Sequence, residues 1–254
     1  MNFSLSERFR ILDAAFIKRL AIISMLIDHS AASLLYYGVI QPNRPITEGS
    51  PLWNVVLLYR FLRGVGRFAF PVFCFFLIEG FLYTRSKAKY VMRLFLFGIL
   101  SELPFDLALF RRIRYDGHQN VMFELAFGIA MLWVFELIGE LKLRSPELRL
   151  ALQYLSTIPF IVIAGKLSLD YGNKGMMLIL LLYVLHNERY LQCVAGAIFI
   201  SLWEWPAVFA FIPLLMYNGK RGKQNKYFFY AFYPGHLFLL FLISHFVLGI
   251  SLLS

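Results

Sequence analysis

The feature that most constrains this chain is a succession of apolar runs, many of them as long as a bilayer core is thick. With a window near 19 residues, they fall at 20–40, 64–83, 92–110, 120–139, 148–165, 174–186, 190–203, 205–217 and 227–250. Hydrocarbon offers no partner to backbone N–H and C=O groups, and an open sheet edge cannot survive there, so such runs are expected to be helical. Composition points the same way. The chain is 59% hydrophobic, 18% aromatic and 16% charged, with a mean hydropathy of +0.66. A soluble domain is about 45–50% apolar and about 25% charged. One core cannot hide that excess beneath a polar shell at this length. A cytosolic enzyme, a disordered chain and a secreted disulfide scaffold are excluded. The expected fold is all-α: a polytopic integral membrane helix bundle of about nine transmembrane segments (eight to ten), solvated by the lipid bilayer. It forms a single transmembrane domain over residues 1–254.

The net charge is +10, from 25 Lys+Arg against 15 Asp+Glu. On a soluble protein this would suggest nucleic acid. Beside apolar spans it is accounted for by basic cytoplasmic loops, so no nucleic-acid partner is expected. With the N-terminus cytoplasmic, the inner loops carry sixteen basic residues: Arg8, Arg10, Lys18, Arg19, Arg85, Lys87, Lys89, Arg93, Lys142, Arg144, Arg149, Arg189, Lys220, Arg221, Lys223 and Lys226. The outer loops carry six: Arg44, Arg111, Arg112, Arg114, Lys166 and Lys174. The bias favours that orientation, and an odd span count puts the C-terminus outside. The Arg111–Arg114 cluster does not follow the rule. The first 17 residues, with Arg8, Arg10 and Asp13, form an interfacial lead-in with no visible cleavage site. Segments 174–186, 190–203 and 205–217 each reach only about 20 Å, short of a core of roughly 30 Å. They are either short spans around a thinned or water-filled region or a re-entrant pair. Cys74 and Cys193 sit in apolar runs and serve as small packing residues.

Ionisable residues inside a membrane are costly and default to functional candidates, the alternative being structural ion pairs between helices. Asp28 and His29 are in the first span, His29 about 16 Å along the helix from Lys18. A neutral imidazole there can act as a general base. Helical neighbours point about 100° apart, so a partner for His29 is expected from another span rather than from Asp28. The spacing of Arg60, Arg63 and Arg67 puts them on one stripe, followed by Pro71, which is expected to kink the helix. Arg63 and Arg67 serve either substrate contact or structural pairing. Glu79 near the inner end reads as a plain interface residue. Glu102 and Asp106 share a helical face if the helix survives Pro104, and are expected to neutralise the arginines. No His/carboxylate cluster has metal-ligand spacing, and no metal is expected.

Asn120 fits a helix N-cap. Asp170, Tyr171 and Gly172 form a turn signal that can line a cavity between short spans. The loop Tyr217-Asn-Gly-Lys220-Arg221-Gly-Lys223 is basic and glycine-bearing. It reads either as positive-inside charge alone or as an anion cradle for a nucleotide-bearing donor such as an acyl-coenzyme A. Tyr233 and His236 lie three apart on one face of the last span. His236 is a second mid-membrane imidazole, while His245 is incidental.

In order along the chain, Asp28-His29, Gly66-Arg67-Phe-Ala-Phe-Pro71, Glu79-Gly80, Ser101-Glu102-Leu-Pro104-Phe-Asp106, Gln119-Asn120-Val, Asp170-Tyr171-Gly172, Tyr217-Asn-Gly-Lys-Arg-Gly222 and Tyr233-Pro234-x-His236 resemble the TraX family, from about residue 18 to 240. The best-known member of that family N-acetylates a conjugative pilin in the inner membrane. The resemblance implies an acetyl- or acyltransferase of the bacterial cytoplasmic (inner) membrane, using acetyl-CoA or another acyl-CoA. The acceptor it implies is a protein or an envelope glycan or lipid. More loosely, Lys18 and His29 are similar in spacing to the basic residue and catalytic His of the membrane acyltransferase-3 family. On this reading His29 is the base, Arg67 stabilises charge, Glu102 and Asp106 position the arginines, Asp28 belongs to the same catalytic group, and Lys220 and Arg221 hold the donor. Arg63, Asn120, Asp170, Tyr171, Tyr233 and His236 contact substrate. A transporter or flippase for a charged or lipid-linked substrate is the alternative, and a scaffold of a secretion assembly a third.

Overall fold

The computed structural model describes residues 9–253, apart from the side chain of Lys226. Arg8, counted above among the inner basic residues, lies outside them. The described residues form helices with no strand beyond two isolated bridges. α1 (Ala14–Ser30) starts at Asp13, whose carboxylate accepts from the Phe16 N–H at 2.8 Å. It continues through a widened π-helical stretch, Ala31–Ile40, and a tight turn to Asn43. α2 (Trp53–Gly66) and α3 (Ala69–Tyr83) form one 31-residue apolar rod with a break at Arg67 and Phe68. α4 is Lys87–Leu109, α5 Val121–Gly139 and α6 Pro146–Lys166. Three short elements follow: α7 (Gly172–Val184), α8 (Arg189–Ser201), and a 3-10 turn, Trp205–Ala210, that runs into α9 (Phe211–Leu215). α10 (Lys226–Leu242) closes the bundle.

By length and composition five helices can cross a membrane: Ala14–Asn43, Trp53–Tyr83, Val121–Gly139, Pro146–Lys166 and Tyr227–Val247. α4 has the length but carries Lys87, Lys89, Arg93, Glu102 and Asp106. The second span begins at Trp53, eleven residues before the apolar run suggested, because Arg60 and Arg63 interrupt hydropathy without interrupting the helix. Pro71 does not kink α3. It sits in the first turn, where its missing N–H leaves no carbonyl unpaired. The break lies just before it, where Arg67 N–H bonds Gly64 O and Phe68 N–H bonds Val65 O.

The short elements run the length of α3. Phe70 stacks on Tyr171 just before α7, and Phe81 packs edge-on against Tyr183 at its other end. At the start of α8, Arg189 is 3.8 Å from Glu79. Beyond its end Trp203 packs on Tyr171. Glu204 then pairs with Arg67, and the return through α9 ends at Tyr217, which bridges to Leu12. These segments are thus short helices packed along α3 beside a cavity. Side chains from α3, α5 and α7 form the centre of the core: Phe75, Ile78, Ile129, Leu132, Ile179 and Leu182 are buried. α6 is largely unburied, exposing Leu155, Ile158 and Val162, as a lipid-facing helix does.

The basic loops gather at one end. Arg19 donates to the Lys223 carbonyl at 3.0 Å, the Ala14 N–H to the Lys220 carbonyl at 2.9 Å, and Lys87 pairs with Glu136. At the opposite end Arg111 folds inward. It is fully buried, donates to the Ser33 carbonyl at 3.1 Å and lies over the Tyr37 ring, and burial holds its guanidinium below its ordinary pKa. Arg114 pairs with Asp116. Two of the residues that violated the charge rule are thus tied off by local partners.

Candidate functional site

The site is built where α1 widens, where α2 meets α3, and where the short helices end. At its floor lies a chain of hydrogen bonds whose direction is fixed by one carbonyl. His236 Nδ1 on α10 is 2.7 Å from the Phe232 carbonyl oxygen. A carbonyl only accepts, so His236 carries its proton on Nδ1 and, when neutral, its lone pair on Nε2. That Nε2 lies 2.7 Å from His29 Nδ1. His29 therefore donates from Nδ1 and keeps its own lone pair on Nε2. The rings are nearly parallel, at 7° with centroids 5.0 Å apart, and Tyr233 meets His29 edge-on. Both imidazoles are buried. The sequence expectation that a different span orients His29 corresponds to this pair. Asp28 Oδ2 is 3.9 Å from His29 Nε2, too far for a hydrogen bond.

The arginines find partners other than those expected. Arg63 donates to Asp28 Oδ2 at 2.8 Å. Arg67 pairs with Glu204 at 3.3 Å and hydrogen-bonds the Tyr171 hydroxyl. Ser24 donates to the Val65 and Gly66 carbonyls, pinning α1 to the break between α2 and α3. The Asp28 carboxylate packs where a Cβ on Gly66 would be. Glu102 and Asp106 do not reach the arginines, which corrects the sequence expectation. Glu102 accepts from Asn120, and Asp106 accepts from the Tyr115 N–H at 2.8 Å. The reason is that α4 packs against α5 and α10, whereas the arginine face of α2 turns toward α1. Asn120 caps α5 through the Met122 N–H as expected, and also donates to the Gly98 carbonyl.

These groups surround a cavity of about 390 Å³, within the range of small-ligand sites. Its lining includes Asp28, His29, Arg63, Arg67, Asp170, Tyr171 and Tyr233. Glu102, Asp106, Asn120 and His236 stand behind the wall. Three residues were missed. His118 lines the cavity, with Nε2 2.9 Å from Asp170 Oδ1. Glu124 is fully buried beneath it and accepts from the Gly172 N–H at 3.0 Å, holding the turn that presents Tyr171. Glu204 is the counter-ion of Arg67. Glu124 was findable as a carboxylate inside an apolar span. The other two sit in loops and give no such signal.

At the basic end lies a second cavity, of about 480 Å³, lined by Lys18, Glu79, Tyr90, Arg93, Arg221 and Tyr230 among others. Lys220 does not line it. Its N–H turns back to Asn218 and its side chain is exposed. Glu79 does more than the plain interface reading suggested, since it lines this cavity and pairs with Arg189. A narrower apolar space of about 210 Å³ shares Lys18, Tyr90, Arg221 and Tyr230 with the basic cavity. Phe73 lines both that space and the histidine cavity. Phe73 is thus a wall residue common to the two spaces.

No solved structure matches the chain. The chain is similar to the probable fimbrial assembly protein FimC, serogroup H1, of Dichelobacter nodosus. The two are 31% identical over 256 residues, covering 88% of this chain and 92% of that protein. The family model described as TraX protein matches residues 13–244, from the cap of α1 into the last turns after α10. That match takes in both cavities and every residue placed around them, and the chain belongs to the TraX family.

Proposed function

We propose that this protein is a membrane-embedded acyltransferase, moving an acetyl group from acetyl-CoA in the cytoplasm to an amine or hydroxyl acceptor at the far side of the inner membrane. The observation that carries this reading is the relay from the Phe232 carbonyl through His236 to His29, which leaves a lone pair on His29 Nε2 at the cavity wall. It has the logic of a triad in which a third group fixes the tautomer of the base. With the N-terminus inside, the donor's phosphates dock against Lys18, Arg93 and Arg221, and its thioester arm follows the narrow apolar space to Phe73. An acceptor enters from the opposite end. The name of the Dichelobacter relative makes a fimbrial subunit a reasonable acceptor to test first.

For a hydroxyl acceptor the chemistry needs one base. The acceptor oxygen attacks the thioester carbonyl while its proton passes to His29 Nε2. Arg67 or Arg63, both at the cavity wall, offset the developing oxyanion. The C–S bond then breaks, and the thiolate takes the proton from His29, giving free coenzyme A. Purified protein in lipid nanodiscs should be thermally stabilised by coenzyme A and should release its thiol from acetyl-CoA when acceptor is added. Neither event is expected of a transporter or flippase, the second reading that two opposed cavities allow.

A further inference from the structure

The histidine cavity holds a second imidazole that one-base transfer does not use. His118 sits in the loop between α4 and α5, with its side chain 35% exposed. Phe105 stacks on the ring at 6.0 Å and Phe110 tilts against it at 5.9 Å. Its loop is fixed to the loop that carries Asp170, because the Gln119 N–H donates to the Ser168 carbonyl at 2.9 Å. The pair is therefore held by backbone as well as by its own 2.9 Å contact. A carboxylate accepts, so Nε2–H points at Asp170 Oδ1, and the lone pair falls on Nδ1. Around the pair stand Glu102 on α4, Asp28 and His29 on α1, and Arg63 and Arg67 at α2 and its break. Tyr233 reaches in from α10 and Tyr171 from the start of α7.

Resting on the acyl-transfer reading, we infer that His118, oriented by Asp170, is a second base of this cavity, serving acceptors that arrive as an ammonium. An amine differs from a hydroxyl in its proton count. R–NH3⁺ has no lone pair and must lose one proton before attack and a second after it. The first goes to His118 Nδ1. The resulting imidazolium is paired with Asp170 and releases its proton to solvent at the exposed mouth. The freed nitrogen attacks the thioester carbon, forming the C–N bond. The second proton goes to His29 Nε2 and then to the departing sulfur as the C–S bond breaks. The products are an amide, free coenzyme A and one proton. Two imidazoles with separate counter-groups, one deep and one at the mouth, match two proton removals at separate places.

The test uses full-length protein in nanodiscs, labelled acetyl-CoA and a short peptide with a free amino terminus as the acceptor probe. An α-amino group titrates near 7.7–8.0, so it arrives mostly protonated at pH 6.5 and mostly free at about pH 9. At pH 6.5 only about one amine in twenty is free, so His118→Gln is expected to slow transfer by about 10–20-fold there and to recover to within about threefold of wild type at pH 9. Asp170→Asn should show the same recovery from a smaller loss, and is the variant to use if His118→Gln does not fold. His29→Gln should fail at both pH values. Equal losses at both pH values in His118→Gln, or an unchanged rate at pH 6.5, would overturn the assignment. A wild-type protein that transfers to no acceptor at all would instead overturn the acyl-transfer reading itself.

Discussion

Single residues decide the chemistry here, and most of them were visible as polar side chains in apolar runs. Asp28, His29, Arg63, Arg67, Tyr233 and His236 stood out because their burial in lipid needs a reason. Their pairings did not stand out. Arg63 meets Asp28 across 35 positions and His29 meets His236 across 207, distances over which sequence spacing carries no geometry. The expected pairing of the arginines with Glu102 and Asp106 rested on charge sign alone, and the packing of α4 against α5 and α10 rather than α2 defeated it. The relay gives a prediction at this scale. His236→Ala removes the acceptor that fixes the His29 tautomer while leaving His29 in the cavity. Transfer should fall about 10–100-fold, as for lost outer-shell partners of a ligating histidine, with coenzyme A binding unchanged in a thermal-shift titration.

At the scale of elements, long apolar helices were legible by length and hydropathy, and one cap, Asn120, by residue type; the structure adds Asp13, Ser145 and Asn225, each accepting from an N–H of the following turn. What hydropathy could not show was why three helices are too short. α7 begins at the cavity floor, with Tyr171 and the Glu124-held turn, so it need not cross the whole core. The break between α2 and α3 was equally hidden. It depends on Gly66, whose lack of a side chain lets the Asp28 carboxylate pack directly on the backbone. Gly66→Ala should displace Asp28 from Arg63, costing about 1–3 kcal/mol of stability as overpacking does. It should reduce transfer more than a comparably destabilising change in the core away from the cavity, such as Ile179→Val, at a residue that is fully buried and does not line the cavity. Denaturation midpoints and transfer rates measured side by side check this.

The whole molecule presents two cavities to opposite ends of one bundle, with a narrow apolar space that shares Phe73 with one and Lys18, Tyr90, Arg221 and Tyr230 with the other. The sequence indicated a basic end and located Arg221 there. Lys18, Arg93 and Tyr90 were not assigned to a donor site, because they come from two places in the chain, α1 and α4, that only packing brings to Arg221. If this end holds the donor's phosphates, Arg93→Ala with Arg221→Ala should weaken coenzyme A binding at least about 10-fold, since a hydrogen bond to a charged group is worth about 1.5–3 kcal/mol. The wild-type affinity should fall with added salt, and the double variant should respond less steeply. Isothermal titration at two salt concentrations reads both.

The account stands on His29 acting as a base between those cavities, and one comparison reaches it directly: label transfer from acetyl-CoA by wild type and by His29→Gln, beside their stabilisation by coenzyme A. The predicted result is a loss of at least about 100-fold in transfer with stabilisation by coenzyme A retained. A His29→Gln protein that transfers label at the wild-type rate would contradict it.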